Sequence, residues 1–102
     1  MEKLPVQYVK NTFRYDLISR DGDVSIYSQT MPETGKLIGY EVFEVQKKEA
    51  FSLNGYDYPA KEAVPSANQW GQMAFTVFDL SRAKQRQAEL LQRIEVRSIE
   101  NS

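Results

Sequence analysis

The chain has 102 residues, 41% of them hydrophobic and 26% charged, with a formal net charge of -1 and neither histidine nor cysteine. That length is one ordinary domain with enough apolar residues for a modest core. The two missing residue types exclude disulfides, thiolate nucleophiles, the commonest general base and the usual zinc and iron ligands, and the charge balance calls for no nucleic acid or anionic membrane as partner.

Residues 1–12 are mixed, with Pro5 as a breaker. Val6, Tyr8 and Val9 suit either a segment docked on the domain or a short edge strand. The start, Met1-Glu2-Lys3-Leu4-Pro5, has no long apolar run. No signal peptide and no membrane span are therefore expected, and the cytoplasm is the default location.

From Phe13 to Arg20 the chain alternates, with Phe13, Tyr15 and Leu17 opposed to Arg14, Asp16, Ile18 and Arg20. Period two predicts a strand. Asp21-Gly22 suits a type I′ turn, and Val24 to Thr30 alternates again, so a tight hairpin is expected. Met31 to Gly35 reads as a loop. Lys36 to Gln46 predicts a third strand, with Tyr40, Val42 and Glu44 on one face and Glu41, Phe43 and Val45 on the other.

Phe51-Ser52-Leu53 and Tyr56-Asp57-Tyr58 flank Asn54-Gly55. This segment reads as a second hairpin or as an ordered loop closed by that turn. Pro59 to Gly71 shows no helix or strand period, although Ser66 is placed to cap one helical turn over Ala67 to Trp70. Met73 to Phe78 predicts the last strand, with Phe75 and Val77 opposed to Ala74, Thr76 and Phe78.

Asp79 is a good N-cap for a helix from Leu80 to about Ile94. Its inward stripe is Leu80, Ala83, Gln87, Leu90, Leu91 and Ile94. Residues 95–102 read as a frayed tail. The expected fold is a single α+β domain, an antiparallel four- or five-stranded sheet packed by one C-terminal helix.

Chemical motifs are few. Asp21-Gly22-Asp23 fails as a calcium loop, because the places for its glycine and glutamate hold Ile26 and Pro32. Thr34-Gly35-Lys36 fails as a phosphate loop, because Thr30 and Leu37 stand where glycine and Ser or Thr are needed. Glu41, Glu44 and Glu62 are the candidate acid–base carboxylates, yet Glu41 and Glu44 fall on opposite faces of a regular strand. No catalytic residue, metal or cofactor is expected.

Two surfaces remain. Arg82, Arg86, Arg93 and Arg97 lie near one helical stripe, and Arg82, Arg86 and Arg93 are candidates for tracking phosphates. A solvated outer face explains them more simply. Tyr56, Tyr58 and Trp70 crowd the long segment 51–71. Such side chains dominate binding hot spots, although they also staple loops to small cores.

The string Gly39-Tyr40-Glu41-Val42-Phe43, then Pro59, Glu62, Pro65-Ser66, Trp70-Gly71 and Ala74-Phe75-Thr76, resembles small proteins of bacteriophages and mobile elements, many from gut bacteria. Asp23 to Thr30 fits the same likeness, which covers most of Phe13 to Leu91. The group has no established activity, so the resemblance implies only a small accessory protein acting on a host or phage protein. The expected function is a non-enzymatic protein-binding module working through residues 51–71, with Tyr56, Tyr58 and Trp70 as anchors. Nucleic-acid binding through the helix arginines is the alternative. The free edge of a small sheet also offers a route to a homodimer.

Overall fold

The computed structural model describes residues 1–101. Strands β1 (Gln7–Lys10), β2 (Phe13–Asp21), β3 (Val24–Thr30), β4 (Leu37–Glu44) and β9 (Ala74–Val77) form one antiparallel sheet in the order β1-β2-β3-β4-β9. Helix α1 (Leu80–Glu100) crosses one face of it. Between β4 and β9 lie two short ladders, β5 (Gln46–Lys48) with β8 (Lys61–Ala63) and β6 (Phe51–Leu53) with β7 (Tyr56–Tyr58). A single 3-10 turn spans Ala67–Gln69. The expected α+β architecture is the one found, with five strands in the main sheet. Among the described residues no helix is long and apolar enough to cross a membrane.

Local chemistry explains the hairpins. Asn11 and Thr12 both have positive φ, as the two central residues of a type I′ turn require, and they join β1 to β2. The N-terminal segment thus contains an edge strand. Between β2 and β3 the expected turn is shifted by one residue. Asp21 pairs with Val24, so Gly22 and Asp23 are central, and of the two only Gly22 (φ +54°) is left-handed. Glycine first with an ordinary second residue is the II′ pattern rather than I′.

The middle strand is buried on both faces. Val24 and Ile26 meet α1, together with Val42, Ala83 and Leu90. Tyr27 faces the other way, into a second cluster with Tyr15, Phe43, Val45 and Ala74. Leu4, Tyr8, Phe13, Leu17, Val64 and Trp70 cover that cluster. Its aromatic rings are in contact, with Tyr8 stacked on Tyr15 at 4.8 Å and Tyr27 on Phe43 at 5.6 Å between centroids. The sheet is therefore roofed by a helix on one side and by the N-terminal segment and the 64–70 segment on the other.

A bulge in β2 departs from the expected alternation. Leu17 pairs with Tyr27 but Ser19 pairs with Ile26, leaving Ile18 extra. One added residue turns every later side chain to the opposite face. Arg20, expected beside Arg14 and Asp16, instead joins the face of Tyr15.

The helix stripe is as expected. Ala83, Gln87 and Leu90 are buried, and Leu80, Leu91 and Ile94 pack at its margin. Asp79 caps it by accepting a hydrogen bond from Arg82 N at 2.8 Å. The helix does not stop near Ile94: residues 95–100, expected as a frayed tail, continue it to Glu100. Arg97 donates to Glu44 Oε1 at 2.7 Å, which ties the extra turns to the end of β4.

Candidate functional site

Residues 46–63 fold back as one long ribbon in two ladders. The lower ladder pairs Gln46 with Ala63, Lys47 with Glu62 and Lys48 with Lys61. Pro59 has no N–H to donate, and backbone pairing stops there before resuming at Phe51 and Tyr58. Asn54 and Gly55, both at positive φ, close the tip in the I′ pattern. Of the two readings of residues 51–58, hairpin and ordered loop, the hairpin is the one that forms. Residues 61–63, expected without strand period, form β8.

The lower ladder is fastened to the body. The Glu62 carboxylate is buried and accepts from both terminal guanidinium nitrogens of Arg20 at 2.9 Å. Leu4 N donates to it at 3.1 Å, and Lys3 lies 3.7 Å away. The bidentate Arg20 contact, ahead of the Leu4 bond and the two positive charges, holds its pKa down from 4.5 to about 2. Around this pair, Lys47 meets Asp23 at 3.1 Å, and the backbone of Glu2 bonds Ala60 O and Glu62 N. Glu62 is thus an anchor for the ribbon base, not one half of an acid–base pair. Glu41 and Glu44 lie on opposite faces, as the alternation requires.

The upper ladder is different. Every residue of β6 and β7 is exposed. Cross-strand partners share a face, so Phe51 with Tyr58 and Leu53 with Tyr56 line one side of the ribbon. Phe51 and Tyr58 stack at 4.8 Å. Ser52 and Asp57 occupy the other side, where Ser52 Oγ donates to Asp57 Oδ1 at 2.6 Å. The four apolar or aromatic side chains are 45–69% exposed.

Trp70 does not join Tyr56 and Tyr58. It is half-buried at the edge of the second cluster, and its Nε1 donates to Thr76 Oγ1 at 3.1 Å. Ser66 N donates to Gln69 Oε1 at 2.9 Å, fixing the turn that carries Trp70. Loop chemistry therefore draws the tryptophan inward, while the turn at Asn54-Gly55 carries the tyrosines outward. Phe51 and Leu53 complete the strip. Their period-two spacing opposite Tyr56 and Tyr58 was the signal for them.

The helix arginines are each held by protein groups. Arg82 is 3.5 Å from Asp79, and Arg86 meets Glu89 at 3.0 Å and lies 4.3 Å over the Phe75 ring. Arg93 donates to Gln72 O at 2.9 Å. No family model, curated protein or solved structure matches this chain.

Proposed function

We propose that this chain is a non-enzymatic protein-binding module that grips its partner with the apolar face of the Phe51–Tyr58 hairpin. The observation that carries this reading is the exposed strip of Phe51, Leu53, Tyr56 and Tyr58 on a ribbon whose upper half belongs to neither core. Tyrosine and phenylalanine offer large contact area at low entropic cost, and Ser52 and Asp57 keep the reverse side polar. The likeness of residues 13–91 to phage and mobile-element proteins directs the search toward host or phage proteins. Nucleic-acid binding through Arg82, Arg86 and Arg93 has less support, since each guanidinium already engages a protein group and the net charge is -1.

A photo-crosslinking residue placed at position 53 tests the reading, with a Phe51→Ser/Tyr56→Ser double variant as control. The exposed substitutions leave thermal unfolding within about 0.5 kcal/mol of wild type. A specific crosslinked protein is expected while Phe51, Tyr56 and Tyr58 are in place and is lost with the double variant. The same protein recovered equally from both removes the hairpin as the binding surface.

A further inference from the structure

On the sheet face away from α1, a recess of about 280 Å³ opens between the β1–β2 hairpin, β4 and the 64–70 segment. Three aromatic side chains, Tyr8, Tyr15 and Trp70, line it. Its carboxylate is Glu41, and Lys10 stands at its exposed mouth. None of these residues belongs to the hairpin strip, so the recess is independent of the proposed protein contact.

Glu41 is half-buried, yet it enters no ion pair among the described residues. It lies close enough to the Tyr15 hydroxyl, which accepts from Gln29 Nε2 at 3.0 Å, for each group to perturb the other's titration. Burial, more than any neighbour, raises the Glu41 pKa, while Lys10 and Tyr15 pull it back. A half-desolvated carboxylate that no cation contacts directly gains from such a contact more than a solvated carboxylate does. Aromatic rings add their own attraction for cations. The recess falls just under the roughly 300–1,000 Å³ of pockets that hold drug-sized ligands, so it fits a head group better than a whole metabolite.

We infer that this recess binds an organic monocation through its alkylammonium head, with Glu41 as counter-ion and Tyr8, Tyr15 and Trp70 as the aromatic wall. Lys10, a like charge at the mouth, weakens the site.

Trp70 is the only tryptophan, so the single indole N–H resonance is assigned without ambiguity to a residue that lines the recess. Tetramethylammonium titrated into the labelled protein is expected to shift that resonance saturably, whereas tert-butanol, a neutral body of similar size, is not. Glu41→Gln weakens the cation by about tenfold or more, and Lys10→Ala, a change at an exposed position, tightens it by about threefold. The absence of a saturable shift, an equal response to tert-butanol, or weaker binding in Lys10→Ala overturns the inference, and Lys10→Ala keeps the test decisive if Glu41→Gln unfolds. A parallel titration with N-acetyl-lysine methylamide separates the sources. Tighter binding of the amide assigns the head group to a protein side chain, and tighter tetramethylammonium assigns it to a free small cation.

Discussion

Glu62 shows how one side chain holds three parts of the chain together. Its carboxylate joins Arg20 on β2, Leu4 N in the N-terminal segment and the base of the ribbon. Removing one member of such a buried pair leaves the other charge uncompensated, so Glu62→Gln is expected to cost about 3 kcal/mol. The pH dependence follows in sign. The folded pKa, about 2, lies below the ordinary 4.5, so the native state binds the proton more weakly than the unfolded chain. The stabilisation is full above pH 4.5 and disappears as pH falls through about 2. Urea unfolding from neutral to acid pH is expected to show that decline in the wild type and a flatter profile in Glu62→Gln. Comparing the two profiles separates Glu62 from Glu41, whose raised pKa acts with the opposite sign. Ser25 sits on the same sheet face with a buried hydroxyl that has no hydrogen-bond partner among the described residues, so the polar groups there are unevenly satisfied.

At the scale of the element, capping and spacing account for α1. Asp79 answers the Arg82 amide, and Ala83 lets the helix approach the sheet closely. Gln87, a polar residue in the buried stripe, donates to Val24 O at 3.1 Å and to Ser19 Oγ at 3.3 Å. A buried amide is tolerable here because it has two acceptors, and Ser19 is one of them only because the β2 bulge turned it toward the helix. Asp79→Ala is expected to cost about 1 kcal/mol, seen as a lower urea midpoint with an unchanged slope. An unchanged midpoint would show that tertiary contacts alone set the start of the helix. The three two-residue hairpin turns among the described residues follow the same local logic. Two take the I′ form and one the II′ form, each with positive φ where Asn, Thr or Gly stands.

For the whole molecule, size and shape locate the arm. The radius of gyration is 15.0 Å, larger than the roughly 13 Å of a compact chain of 100 residues. The exposed upper ribbon and the 21-residue helix both extend the molecule beyond a compact sheet. A lone two-stranded hairpin is marginal by itself, and this one leans on the buried Glu62 pair at its base. Replacing residues 49–60 with Asn-Gly removes the bond from Glu2 N to Ala60 O but keeps the Glu62 pair, so it is expected to preserve the five-stranded sheet and the helix at a cost of about 1 kcal/mol. Circular dichroism and thermal unfolding check this. Loss of cooperative unfolding would mean that the arm is part of the folding core, and the docking role would lose its basis.

Period-two alternation, Asn-Gly and Asp-Gly turns and the Asp79 cap are local signals, and they were enough to predict the β2–β3 hairpin, β4, β9 and α1. They also placed Tyr56 and Tyr58 beside the Asn54-Gly55 turn that closes the ribbon, because turn chemistry acts within a few residues. Only the tertiary structure decided that Trp70 turns inward, that Arg20 changes face and that Glu41 lies in an aromatic recess. Each depends on partners distant along the chain: the second core for Trp70, the bulge and Glu62 for Arg20, Tyr8 and Tyr15 for Glu41. Periodicity and turn chemistry carry no record of such contacts, since burial is a property of what the folded chain brings alongside a residue.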